Sequence, residues 1–368
     1  MVLAGIMTGT SVDAIDIAVC EITAEGDRET ISLLSFHTYP FSDYALEVVQ
    51  KALAGQCTME ELSDVPFLLA KEFARCITEL PAAPEAIAVH GQTLWHHPPH
   101  STWQAVSGPG LSALTRLPVV HDFRSADVAL GGQGAPLVPI FDYATLAQPE
   151  TTVVAVNLGG MANITILPAG AKANGVVAFD TGPGNMWIDT AVRVTFGMRY
   201  DAFGNVARAG RVLKPMLYEC LANTYFNQPP PKSTGRELFS VAEAERLIKK
   251  YSHPSSPLED AVTTVTELTA ITVADHIARF APDAGSVVIS GGGSQNTFLV
   301  ERITELLSGS APNAVVSIHP QWDAKEAMAF AYLGWRTLCR LPGNLSSVTG
   351  AASEAVLGSV ANVFPLSG

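Results

Sequence analysis

The chain has 368 residues, 48% of them apolar and only 15% charged, against about 25% charged in an ordinary globular protein. That length fits two domains with a core each, and the composition excludes a disordered chain. A formal net charge of -13 repels phosphate backbones and anionic lipid, which disfavours nucleic-acid binding and polybasic membrane attachment.

In chain order, the apolar run Leu3–Met7, the polar turn Thr8-Gly9-Thr10-Ser11 and the mostly apolar Ala14–Ile22 predict a strand–glycine turn–strand hairpin. Ile31–His37 predicts a third strand, Tyr44–Leu53 and Met59–Leu80 helices, and Glu85–His90 a strand ending at His90-Gly91-Gln92-Thr93. The segment that follows, with His96, His97, His100 and Ser107-Gly108-Pro109-Gly110, reads as loop. Pro118–His121 is a strand, followed by Asp122-Phe123-Arg124 and the glycine-rich stretch Gly131–Pro136 before the apolar run Leu137–Leu146. That stretch is a plausible interdomain crossing.

The opening pattern recurs from Thr152. Val153–Val156, the turn Asn157-Leu158-Gly159-Gly160 and Ala162–Leu167 form a second hairpin about one domain length from the first. Val176–Phe179 and Ser286–Ile289 predict further strands, and Gly291-Gly292-Gly293 a third glycine turn. Gln295–Leu307 and Asp323–Leu338 predict helices. Alternating strands and helices argue for an α/β fold.

The P-loop, the G-x-G-x-x-G fingerprint and the nucleophile elbow are absent. Hairpin turns can replace them, because successive backbone N–H groups in a glycine turn bind anions. Five cysteines, with no C-x-x-C pair, argue against a disulfide framework or a zinc site and for a reducing compartment. The start of the chain does not read as a secretory signal, and no apolar run reaches ~18 residues. A soluble, cytoplasmic protein is expected.

Several blocks carry a specific resemblance. Gly5–Asp16, His90-Gly91-Gln92-Thr93, Asp122-Phe123-Arg124, Gly131–Pro139, Asn157–Gly160 and Phe179–Asn185 all contribute. So do Pro230–Glu237, Gly291–Gly293, Asp323–Ala327 and Thr349-Gly350-Ala351. Together, and in this order, they resemble the anhydro-N-acetylmuramic acid kinases of the actin-like ATPase and sugar kinase superfamily. The resemblance implies a two-lobe actin-like ATPase (RNase H-like) fold with a ligand cleft between lobes. Residues 1–135 with 340–368 would form the sugar-side lobe and 136–339 the nucleotide-side lobe. It implies ATP and Mg²⁺ as cofactors, a homodimer and a role in peptidoglycan recycling. The reaction implied is hydrolytic opening of the 1,6-anhydro bridge with phosphorylation of O6.

Under that resemblance Asp180 is the general base toward the attacking water; the alternative is an Asx turn or helix cap. Gly9, Thr10, Ser11, Val12, Asp13, Ala14, Ile15 and Asp16 would contact the phosphates. Asn157, Gly159 and Gly160 would form the facing turn, and Gly291, Gly292 and Gly293 the adenosine approach. Asp13 or Asp16 could hold Mg²⁺ through water, and the metal ligands stay undecided. His90, Gln92, Arg124 and Glu326 are the sugar-binding candidates. Arg124 could instead pair with Asp122 or Asp127, and His90 could be a satisfied core histidine. Asp323 and Glu326 have capping-box spacing. Lys232 and Arg236 could line the cleft or rigidify a loop. The three histidines near residue 97 read as loop rather than metal ligands.

Thr8 and Ala14 stand where the family usually has Ser and Gly. Residues 104–115 and 319–322 also depart from the family pattern on the expected sugar side. A kinase for another anhydro sugar such as levoglucosan, and an ATP-switched actin-like binding protein, are the alternatives.

Overall fold

The structure, a computed structural model, describes residues 1–9, 12, 14–26, 28–253 and 257–364. The chain forms two compact units, residues 1–145 with 324–368, and residues 146–323. In chain order the strands are β1 (Val2–Thr8), β2 (Ile15–Glu25), β3 (Arg28–Tyr39), β4 (Ala86–Val89), β5 (Gln92–His97), β6 (Ser101–Ala105) and β7 (Val119–His121). They continue with β8 (Thr152–Leu158), β9 (Met161–Leu167), β10 (Val177–Pro183), β11 (Ala284–Ser290), β12 (Val315–Ile318) and β13 (Ser359–Ala361).

Among the described residues the first unit carries a sheet of order β13-β7-β4-β1-β2-β3. β1, β2 and β3 are antiparallel, while β4 joins β1, and β7 joins β4, in parallel. The second unit has the order β10-β9-β8-β11-β12, with β8, β9 and β10 antiparallel and β11 and β12 added in parallel. Each sheet thus has one hairpin-fed antiparallel trio extended by two parallel strands, and the first adds the antiparallel edge strand β13. This doubled α/β architecture is the actin-like ATPase pattern expected above.

Apolar alternation and β-branched residues account for the strands; the buried faces account for the helices. In the first unit Ile6, Ile17 and Val19 pack against Val49, Leu69 and Phe73 of the helices Asp43–Leu53 and Met59–Thr78. The second helix opens with a full capping box, Thr58 and Glu61. The helix Lys325–Leu338 is apolar nearly all round and accordingly buried. It approaches β1 so closely that a Cβ on Gly5 would lie 1.9 Å from the Ala327 carbonyl oxygen. In the second unit Val154, Ile164, Phe179 and Ile289 share a core with the helix Glu259–Phe280.

The segment read as loop between residues 91 and 117 folds differently. β5 and β6 form a hairpin that sets Trp95 opposite Trp103, and Ser107 caps a helix from Gly108 to Thr115. Tryptophan and threonine favour a pleated surface, and Ser-Gly-Pro-Gly is a helix start as well as a turn signal. Among the described residues no helix is long and apolar enough to cross a membrane.

Candidate active site

In the first unit β1 delivers the chain to the glycine turn. The Gly9 carbonyl accepts the Val12 N–H at 3.1 Å, and Val12 takes a positive φ of 56°, a costly conformation for a β-branched residue. Ala14, half-buried, leads into β2, where Ile15 is buried and Asp16 half-buried. The Asp16 carboxylate accepts from the Thr38 hydroxyl at 2.8 Å. Thr10, Ser11 and Asp13 lie outside the described residues.

The end of β4 places His90 beside this turn. Thr8 Oγ1 donates to the Gly91 carbonyl at 3.2 Å, and Gln92 Nε2 reaches the Gly9 carbonyl at 3.5 Å. Gln92 is fully buried, yet its Oε1 has no hydrogen-bond partner among the described residues. His90 Nδ1 lies 2.7 Å from the Gly91 carbonyl. A carbonyl only accepts, so Nδ1 carries the proton and Nε2 is a lone-pair acceptor. Arg124 donates Nε and Nη2 to that Nε2, at 3.0 and 2.9 Å. Burial, then the Arg124 charge, holds the His90 imidazole well below its usual pKa.

Arg124 is paired with neither candidate aspartate. Asp127 is fully engaged by Asn344, Thr349 and the Gly134 N–H, and Asp122 accepts from Ser125 at 2.5 Å. Burial pulls the Arg124 guanidinium down to about 10, and the charge acting against that is Glu326. Burial likewise raises the Glu326 carboxyl; the Lys325 charge opposes the rise, and Asp16 adds to it. Asp323 does not form the predicted cap: the helix starts at Lys325 with Ala324 at its N-cap and no side-chain cap bond. Glu326 therefore sits in an open first turn, where the helix dipole favours an anion. Lys325 behind it makes a buried ion pair with Asp142, 2.7 Å.

In the second unit three predicted elements meet. The turn after β8 packs on the start of the helix Asn185–Phe196: the Gly159 carbonyl accepts from the Asn185 N–H, and the Gly160 carbonyl from Gly184 and Met186. Asn185 Nδ2 donates back to the Leu158 carbonyl at 3.0 Å. Gly291 follows β11 with φ of 79°, and a Cβ there would fall 2.5 Å from Asn157 Oδ1. Gly292 and buried Gly293 open a 3-10 turn, and Asn296 caps the next helix by accepting from Leu299. Asn157, Gly159, Gly160 and Gly291–Gly293 thus share the carboxyl ends of β8 and β11, where open α/β sheets place ligands.

Asp180 lies on β10 at a register shift against β9. It is no helix cap, since the N-cap is Gly184. Its Oδ2 accepts from the Thr234 N–H at 2.9 Å, and its carbonyl accepts from the Tyr225 hydroxyl at 2.7 Å. Burial pushes the carboxyl up to about 6; the Thr234 bond and the Lys232 charge lower it, and Glu237 raises it. That value suits a base working near neutrality. Tyr225, Thr234 and His276 escape the sequence reading, although Thr234 lies inside the quoted Pro230–Glu237 block. Arg236 is exposed.

No cluster of three metal-ligating side chains occurs among the described residues. The histidines near residue 97 serve the hairpin: His96 Nδ1 meets Thr102 Oγ1 at 3.0 Å, and the His97 and His100 rings lie 5.0 Å apart.

A repeated sheet of this order, with glycine turns at its strand ends and a half-buried carboxylate on β10, defines a protein of the actin-like ATPase class. The chain belongs to the anhydro-N-acetylmuramic acid kinase family, whose model matches residues 1–363. Among solved structures it is similar to the activator of the 2-hydroxyisocaproyl-CoA dehydratase from Clostridium difficile, with 11% identity, 90% and 93% of the two chains covered and a TM-score of 0.45. It is also similar to a ROK family glucokinase from Streptomyces griseus, with 14% identity, 90% and 99% covered and a TM-score of 0.41. A ROK hexokinase from Thermus thermophilus matches with 15% identity, 91% and 100% covered and a TM-score of 0.39.

Proposed function

We propose that this kinase uses ATP to convert 1,6-anhydro-N-acetylmuramic acid into N-acetylmuramic acid 6-phosphate and ADP, with water opening the ring. The observation that carries the reading is Asp180: a carboxylate at the register shift within β10, held by one main-chain N–H and raised to about 6 by burial.

Water gives a proton to Asp180 while its oxygen attacks C1. The C1–O6 bond breaks and its electron pair stays on O6. O6 attacks the γ-phosphorus, and the bond to the bridging oxygen of ADP breaks. Glycosidic cleavage ordinarily needs a second carboxyl group to protonate the leaving oxygen; here the phosphoryl group captures it, so one carboxylate suffices.

The turn at Asn157–Gly160 and the Gly291–Gly293 turn suit ATP. At Gly291 and Gly293 a Cβ would collide with Asn157, Leu158 or Asn185, so the second turn can pack on the first only as glycine, and glycine turns expose main-chain N–H groups that bind anions. Mg²⁺ is held by few carboxylates and by phosphate oxygens, and Asp16, with Glu326 nearby, fits that donor set. When bound it neutralises charge on the phosphates. The half-buried Arg124 favours an anionic sugar over levoglucosan, because its protein acceptor is the neutral His90 and its guanidinium can still take a carboxylate.

Incubation with anhydro-N-acetylmuramic acid, Mg-ATP and ¹⁸O-water should place label at C1 and phosphate on O6. Equal or faster turnover of levoglucosan would overturn the choice of sugar. ATP-dependent assembly without any sugar phosphorylation would overturn the kinase reading. A cytoplasmic homodimer belongs to the same proposal, and sedimentation of the purified protein tests the dimer.

A further inference from the structure

We propose that Lys232 is a positioning residue for Asp180: clamped between the Tyr225 carbonyl and His276 Nε2, it holds its loop so that the Thr234 N–H engages one carboxylate oxygen and the other stays available to water. This rests on reading Asp180 as the base.

The clamp is built from directed contacts. Lys232 Nζ donates to the Tyr225 carbonyl at 3.0 Å and to His276 Nε2 at 2.7 Å. It also lies 4.5 Å from the Tyr225 ring centroid and 5.6 Å from that of Phe179, the residue before Asp180. Among the described residues no carboxylate forms an ion pair with it. Its hydrogen-bond partners are therefore neutral acceptors and aromatic faces, which fix a position more than they attract from afar.

Toward Lys232, His276 can only accept. Its Nδ1 lies 2.5 Å from the Thr272 carbonyl and must carry the proton, which leaves Nε2 bare. It stands on the helix Glu259–Phe280, which shares a core with β10. Burial holds its imidazole down to about 4, so it stays neutral over the working range.

The contacts then close into a ring. Lys232 holds the Tyr225 carbonyl, and the Tyr225 hydroxyl holds the Asp180 carbonyl. Two residues beyond Lys232, the Thr234 N–H holds Asp180 Oδ2. Among the described residues no protein donor engages Oδ1. Asp180 is thus fixed at its main chain and at one oxygen, leaving the second as the atom that takes the proton.

The charges facing these groups set the expected pH behaviour. Glu237 and Lys232 face Asp180. Arg279, Asp275 and Asp180 face Lys232, whose ammonium burial pulls down to about 8. Arg279 and Asp275 also face His276, along with Lys232. Releasing the clamp removes from Asp180 both a nearby cation and its N–H bond, and each of these favours the ionised form. The acid limb of kcat/KM must then move to higher pH.

The test compares Lys232→Met, His276→Phe and His276→Gln with the wild type in pH profiles from 4.5 to 9. Lys232→Met should lower kcat about 10–100-fold and move the acid limb up by about one pH unit, with KM for ATP changed less than about threefold. His276→Phe should do the same in weaker form. His276→Gln, which keeps an acceptor, should recover most of that loss. A folded Lys232→Met variant with an unmoved limb and unchanged kcat overturns the proposal. If Lys232→Met does not fold, equal profiles for His276→Phe and wild type overturn it. Asp180→Asn separates the two readings. Retained turnover there removes the base assignment itself, whereas a dead Asp180→Asn beside an unaffected Lys232→Met removes only the clamp.

Discussion

Arg124 aims two nitrogens, Nε and Nη2, at a single acceptor, the Nε2 of His90, at 3.0 and 2.9 Å. The histidine is in turn fixed by its own bond to the Gly91 carbonyl and by the Phe330 ring, 4.7 Å away. His90 is thereby an orienting group for a guanidinium that has no aspartate partner. His90→Phe keeps the ring packing and removes the acceptor. Hydrogen bonds to a charged group contribute about 1.5–3 kcal/mol, so KM for the anionic sugar should rise about 10–100-fold, with kcat affected less. His90→Gln should recover part of the loss. Because the imidazole is held well below its usual pKa, sugar KM should show no histidine titration between pH 6 and 8. Steady-state kinetics over that range checks both statements.

Behind Glu326 lies a buried ion pair. Lys325 and Asp142 are 5% and 4% exposed and 2.7 Å apart. Removing Lys325 strands the buried Asp142 charge, which costs about 3–5 kcal/mol. Lys325→Met should lower the denaturation midpoint sharply, and Asp142→Asn should lower it less. The double variant should recover part of the loss, since no unpaired charge remains. Urea unfolding of the three variants decides it, and full additivity of the two single effects would contradict the pairing.

What the sequence disclosed and what it concealed divides along physical lines. The glycine turns at Gly9, Gly159 and Gly291 and the strand end at His90 are written in local chemistry: glycine at the turns, β-branched runs where a strand is buried. The strand end expected at Asp180 is not found, because β10 runs on through the register shift to Pro183. The roles of Tyr225 and His276 are not local. Tyr225 reaches Asp180 across 45 residues and His276 reaches Lys232 across 44, and nothing in their own neighbourhoods marks them. The hairpin of β5 and β6 was hidden by two prolines and three histidines that look like loop. Asp323 misled because capping spacing specifies a possible bond, and here the helix begins one residue too late for it to form.

Thr234 offers a test of function free of the usual stability confusion. Its Oγ1 is buried and has no hydrogen-bond partner among the described residues, while its own N–H holds Asp180. An unpartnered buried hydroxyl costs about 1–3 kcal/mol, so a side chain kept only for folding would gain by losing it. Thr234→Val preserves the shape and the N–H. We predict an unchanged or higher Tm and a kcat about tenfold lower, as expected if the hydroxyl orders the attacking water. Calorimetry and initial rates on one preparation read both quantities. A variant with wild-type kcat would show that the hydroxyl takes no part in turnover.

Asp180 should set activity and stability in opposite directions. Its carboxyl is raised from the ordinary 3.8 to about 6, chiefly by burial. The folded state therefore holds this proton more tightly than the unfolded chain does. Stability from this group is present in full below about pH 4 and is lost as pH rises through 6. Above that, the ionised carboxylate costs about 1–3 kcal/mol, the upper figure being the whole shift and the lower one allowing for partial exposure. Catalysis asks for the reverse, because only the ionised form can take a proton from water, so kcat/KM should fall below about pH 6 in the wild type. Asp180→Asn replaces the carboxylate with a neutral isostere. It should lose at least about 10²-fold in turnover, bind ATP as before, and unfold at a higher temperature than the wild type at pH 8. That advantage should shrink to nothing near pH 4, where both side chains are uncharged. Thermal unfolding of the two proteins at pH 4, 6 and 8 measures it, and a lower Tm for Asp180→Asn at pH 8 would contradict the burial argument.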